Sequence, residues 1–158
     1  MKDQPPPSKQ SFSNLLSFVT FRIARVQNNL NAQAISTLAT HSDLKLTEWR
    51  LLASVESLGS TNAAEIVRRT QIDKGQVSRG IKSLRAKEML SVTGSEADNR
   101  QQTLSLSPKG LREFEKVVVV MRQRQQVLTQ EITQEELEIL FSVLDRLETR
   151  ARDTVQKG

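Results

Sequence analysis

The side chains with most chemistry to offer lie between Lys74 and Arg100. In "KGQVSRGIKSLRAK", helical spacing sets Lys74, Gln76, Ser78, Arg79, Lys82 and Ser83 opposite the apolar stripe Val77, Ile81 and Leu84. A helix of that kind fits the major groove of DNA, where Arg and Lys donate to guanine and Gln bonds adenine bidentately. The plainer reading is a solvated basic face. Further on, "GSEADNRQQTLSLS" breaks the helical pattern with a polar loop and then alternates, Leu104 and Leu106 against Thr103, Ser105 and Ser107. A two-residue period marks a half-buried strand. Arg100 at the tip suits a narrow minor groove, and Asp98 is placed to aim it through a charge-assisted bond. The alternative is an exposed ion pair worth about 0–1 kcal/mol with no role in binding.

Other chemistries find little support. The absence of cysteine excludes disulfides, thiolate catalysis and thiol redox sensing. The single histidine, His41, sits in a polar break and reads as a surface loop residue. Trp49 lies on the apolar side of its helix and reads as core. With no nucleophile–base pair and no metal-ligand spacing, no catalytic residue, metal or cofactor is expected, and the chain does not read as an enzyme. No apolar run approaches the roughly 18 residues of a membrane span, and "MKDQPPPSKQS" reads as a disordered tail. A cytoplasmic protein is expected.

The elements that must hold those side chains follow from spacing and caps. A long amphipathic helix is expected from Phe12 to about Thr40, followed by a helix capped by Thr47 and stopped by Gly59. Asn62 and Glu65 then form a capping box for a short helix ending at Arg68 and Arg69, which suit its dipole or a phosphate. The basic helix comes next, with Gly75 and Gly80 as poor helix formers whose use is close backbone approach. "LSVT" and "QTLSLS" read as the strands of a hairpin. Ser107 and Pro108 read as N-cap and first residue of a helix to about 129, and Thr133 with Glu136 as the box opening the last. A short helix, a tight turn, a basic helix and a hairpin describe a winged helix-turn-helix. Charge agrees: residues 60–110 carry nine Lys/Arg against five Asp/Glu, whereas residues 111–158 carry eight against nine. A basic middle third is the footprint of a polyanion partner.

The ends carry a different message. Leu15, Val19, Ile23 and Val26 in the first helix, and Leu137, Leu140, Phe141 and Leu144 in the last, form apolar stripes. With aromatic residues at only 4%, a monomer offers too little to bury them, so burial against a second copy around a two-fold axis is expected. The Val117–Val120 run reads as buried on more than one side. A two-fold dimer would set two basic helices about 34 Å apart, one turn of DNA.

"LTEWRLLASV", "TNAAEIVRRTQIDKGQVSRGIKSLRAKEML" and "EADNRQQTLSLSPKG" resemble successive blocks of the MarR family of winged helix-turn-helix regulators, over about residues 12–155. The D-x-R wing and the L-S-L-S-P-K-G run are the most specific parts. The resemblance implies a mostly α fold with a small β-hairpin wing. It implies a dimerisation helix over 12–45, a DNA-binding lobe over 46–110 and further dimerisation helices over 111–155. It also implies a homodimer on palindromic operators in double-stranded DNA, usually repressing and often released by a small aromatic or anionic effector. Carried over by position, Lys74–Lys87 is the recognition helix, and Asp98 and Arg100 are the wing pair. Two residues depart from the pattern: Glu88 stands where a glycine usually precedes the wing, and Ser107 replaces a threonine. A winged helix used to bind an acidic protein is the other function weighed.

Overall fold

The computed structural model describes residues 16–94 and 102–156. The chain divides into two compact units, one through Val118 and one from Val119 onward. The element order is α1 (Val19–His41), α2 (Leu46–Leu58), α3 (Ala63–Thr70), α4 (Lys74–Ala86), β1 (Leu90–Thr93), β2 (Thr103–Leu106), α5 (Pro108–Thr129) and α6 (Gln134–Gln156). The fold is mostly helical with one small antiparallel sheet, as its sequence implies.

The first unit is built around α2. Leu51, Leu52 and Val55 are buried together with Leu38 of α1, Ile66 of α3, Val77 and Leu84 of α4 and Leu104 of β2. Trp49 is core as expected, its ring stacked on Phe114 of α5 at 5.7 Å between centroids and 11° between planes. Helices α2 and α4 meet at Gly80, where a β-carbon would stand 2.3 Å from Leu51 Cδ1. The glycine in the basic helix thus serves close packing on its buried side.

The hairpin pairs Leu90 with Leu106 and Thr93 with Thr103. It is rooted at the start of α3: Thr61 N donates to Leu104 O (3.1 Å) and Leu104 N to Thr61 O (2.7 Å). Its far end is closed onto α5. Ser107 Oγ accepts from Gly110 N at 3.0 Å, the expected N-cap, and donates to Glu88 O at 2.6 Å. Gly110 is buried so tightly that a β-carbon would lie 2.0 Å from Met89 O. The run Ser-Pro-Lys-Gly is therefore a cap, a helix-starting proline and a contact only glycine allows.

Glu88 adopts φ +60°. Met89 N donates to Leu84 O and Glu88 N to Arg85 O, each at 2.9 Å. These bonds make a Schellman ending for α4, with Glu88 in the left-handed position that glycine usually fills. The helix exit keeps its shape despite the departure in sequence.

Several local expectations are corrected. α2 begins at Leu46, and its orphan donor at Lys45 N is met by Glu48 Oε2 (2.8 Å) rather than by a Thr47 cap. His41 ends α1 as an exposed helical residue. Ile81 is only half-buried; the buried stripe of α4 is Val77, Gly80 and Leu84. Within the valine run, Val117 is buried but Val119 is 52% exposed.

The second unit holds the end of α5 and α6. Thr133 N donates to Glu136 Oε2 (2.8 Å) and Glu136 N to Thr133 Oγ1 (3.2 Å), the expected capping box. The Thr133 N–H, together with the Thr133 hydroxyl that donates to the same Oε2 at 3.0 Å, holds the Glu136 carboxyl below its ordinary pKa. No described residue of α6 is buried, and its Leu140, Phe141 and Leu144 are exposed. Among the described residues, no helix is long and apolar enough to cross a membrane.

Candidate nucleic-acid interface

The turn between α3 and α4 sets the direction of the basic helix. Gln71 caps α3 in the left-handed region at φ +55°, its N–H donating to Val67 O at 2.9 Å. Two residues later Asp73 caps α4, its Oδ1 accepting from Gln76 N at 3.0 Å. An aspartate at an N-cap satisfies an orphan donor and complements the helix dipole. The basic helix thus starts where the turn aims it.

With Val77, Gly80 and Leu84 inward, the polar residues divide into two flanks. Lys74, Ser78 and Lys82 recur every four residues and line a cleft of about 810 Å³ between α3, α4 and β2. Its apolar floor includes Ala63, Val67, Val77, Ile81 and Leu104. Gln76 and Arg79, three residues apart, lie on the other flank and are exposed. Arg85 extends the Lys74 side, is exposed and lines the same cleft. The spacing that picks out Ser78 and Lys82 would also have found it.

Ser83 is the exception among the helix residues expected to face outward. It is half-buried, and its hydroxyl donates to Glu48 Oε1. Glu48 is 2% exposed, and Oε2 also receives Lys87 Nζ at 2.8 Å. Burial acts first to raise the Glu48 pKa, but the bonds from Lys87, Ser83 and the Lys45 amide outweigh it and leave it lowered. Sequence spacing gave no sign of this group, because its members are far apart in the chain and meet only when α2 packs on α4.

Arg68 and Arg69 end α3 but do not stand alone. Glu65 Oε1 receives Arg68 Nη2 at 2.6 Å and Arg69 Nε at 2.7 Å, and Oε2 receives Arg68 Nε at 2.9 Å. The two guanidiniums hold the Glu65 carboxyl at about 2. Asn62 Oδ1 accepts from Glu65 N at 2.9 Å, so half of the expected capping box forms while the glutamate turns to the arginines. Asp98 and Arg100 lie outside the described residues, as does Leu15. In sequence Asp98 and Arg100 fall between β1 and β2.

Comparison with known proteins bears on this geometry. Residues 42–101 match the MarR family. An uncharacterised HTH-type transcriptional regulator of Staphylococcus aureus is 26% identical over 102 residues, 63% of this chain and 70% of the relative. The crystal structure of a MarR/EmrR family transcriptional regulator from Acinetobacter sp. ADP1 is 25% identical, with a TM-score of 0.78 over 85% of this chain and 94% of that one. The S. aureus MepR–DNA complex shares the fold at a TM-score of 0.76 and 16% identity, over 88% and 99% of the two chains. MarR family members are transcriptional regulators rather than enzymes. Across its winged-helix lobe, residues 42–101, the chain matches the MarR family, and along most of its length its fold is that of solved MarR family transcriptional regulators.

Proposed function

We propose that this protein is a homodimeric, sequence-specific DNA-binding regulator that reads a palindromic operator. The observation that carries the reading is the exposed polar face of α4, with Lys74, Gln76, Ser78, Arg79 and Lys82 outward and the helix capped, packed and flanked by the hairpin. An exposed helix of that composition supplies both phosphate contacts and base-edge donors. The likeness to the MepR–DNA complex supports the same use of the fold. Asp98 and Arg100 complete the interface from the wing.

Both ends of the chain present apolar side chains to solvent. Val19 and Ile23 of α1 are 49% and 40% exposed, and Leu140, Phe141 and Leu144 of α6 are 44%, 56% and 37% exposed; Leu137 is half-buried. Residues of that size left uncovered along whole helices mark an association surface. A second copy of the chain is the occupant, with residues 12–45 and 111–155 as the dimerisation elements. Repression relieved by a small aromatic or anionic effector rests on the family resemblance.

Selection of bound fragments from the source genome tests the reading. Enrichment of a common inverted repeat, with affinity falling steeply between 50 and 200 mM salt, is the expected result. Recovery of no fragment at low salt, with tight binding to an acidic protein, would favour the interaction-module alternative.

A further inference from the structure

Reading base edges demands that α4 be held at one roll about its own axis. Its apolar contacts with α2 supply adhesion, but hydrophobic contact is non-directional. The directional contact is Glu48. Three donors converge on this buried carboxylate: Ser83 Oγ on Oε1, with Lys87 Nζ and Lys45 N on Oε2 at 2.8 Å each. Ser83 and Lys87 are four residues apart, so the carboxylate grips one side of the last turns of α4. Lys87 Nζ also donates to Asp43 O at 3.0 Å. That loop is anchored in turn to α5, where Ser42 Oγ donates to Glu113 Oε1 at 2.6 Å.

We infer that Glu48 is a positioning residue for DNA recognition: through Ser83 and Lys87 it fixes the roll of α4, so that Gln76, Arg79 and Lys82 address the groove. The inference rests on the DNA-binding reading above. A buried ion pair adds little net stability over apolar groups of the same size, yet it is satisfied in only one geometry. Adhesion and aim are therefore separable in this helix. Recognition sites tolerate only about 0.5 Å and 10–20° of error, so loss of aim costs specificity before it costs the fold.

The test replaces the pair by apolar isosteres, Glu48→Met with Lys87→Met, which leaves net charge unchanged. Urea midpoints and binding to a fragment selected by the parent, and to an unrelated duplex of equal length, are measured across a salt series. The expected result is a folded protein with an unchanged salt slope and unrelated-DNA affinity within about twofold, whose preference for the selected fragment falls at least about tenfold. Ser83→Ala removes one grip and is expected to lower the preference in the same direction, with Ser83→Thr restoring it. Those two single variants carry the test if the double variant fails to fold. A parent that prefers its fragment, with variants that prefer it equally, overturns the inference alone. A parent that binds no fragment overturns the DNA-binding reading and this inference with it.

Discussion

Gly110 and Met89 are in backbone contact, the glycine so close that a β-carbon would stand 2.0 Å from the methionine carbonyl oxygen. That oxygen already accepts from Ser107 N at 3.1 Å. It cannot retreat without breaking the bond that joins the chain just after α4 to the start of α5. Gly110→Ala is therefore expected to destabilise the protein by about 3 kcal/mol, the upper part of the range for overpacking, because backbone rather than a side chain must move. A lower urea midpoint with an unchanged m-value is the signature. A midpoint equal to the parent's would show that the junction yields freely.

Gly80 faces a softer neighbour. An added methyl meets Leu51 Cδ1 at 2.3 Å, and Leu51 is fully buried. Gly80→Ala gains up to about 1 kcal/mol of helix propensity but overpacks the α2–α4 contact at a cost of about 1–3 kcal/mol. Net destabilisation of about 1 kcal/mol is expected. Leu51→Ala alone should cost about 2–5 kcal/mol. The double variant should lose less than the two singles together, since the cavity of one accepts the methyl of the other. Additive losses would refute the contact.

These glycines show how far sequence reasoning reached. Element order, the Ser107 cap, the Thr133–Glu136 box and the outward face of α4 are local consequences of spacing and capping, so the sequence displays them. The use of Gly80 and Gly110 depends on Leu51 and on Met89, which no local pattern links to them. Ser83 shows the same limit: helical spacing put it outward, but the carboxylate that claims it lies 35 residues away. Arg85 falls on the same helical flank as Ser78 and Lys82, so spacing alone displays it.

Arg79 and Arg100 should separate the two kinds of contact. Arg79 is exposed on α4, where a guanidinium lost from a base edge relaxes sequence preference by about 1–3 kcal/mol. If Arg100 acts from the wing, as the DNA-binding proposal has it, Arg100→Ala is expected to weaken all DNA binding and reduce the salt slope by about one unit. Competition titrations with specific and unrelated duplexes at several salt concentrations measure both effects. If neither variant differs from the parent, these residues do not form the interface.

Glu88 occupies the left-handed region at φ +60° without the freedom of glycine. That conformation costs a residue bearing a β-carbon about 1 kcal/mol. Its side chain gives little back: it meets Lys109 Nζ at 3.5 Å with 82% of its surface exposed, and surface pairs contribute about 0–1 kcal/mol. Glu88→Gly should therefore stabilise the protein by about 0.5 kcal/mol. A raised urea midpoint with unaltered DNA preference is the expected outcome. A lowered midpoint would mean that the Lys109 contact outweighs the backbone strain.

Glu65 titrates far below its ordinary value because Arg68 and Arg69 both bond it. With its pKa lowered from 4.5 to about 2, the carboxylate's contribution to stability is fully present above about 4.5 and disappears as pH falls through 2. Between pH 7 and 5 the pair is therefore insensitive to acid. All three side chains are solvent-accessible, so salt screens the interaction and the effect on global stability is small. Carboxyl NMR should give Glu65 a midpoint near 2 in low salt, rising in 1 M salt. Glu65→Gln should flatten the acid limb of the stability curve between about 4.5 and 2. It should also leave both arginines available to phosphate, tightening unrelated-DNA binding and steepening its salt dependence. A Glu65 midpoint above 4 would show that the arginines do not hold it in solution.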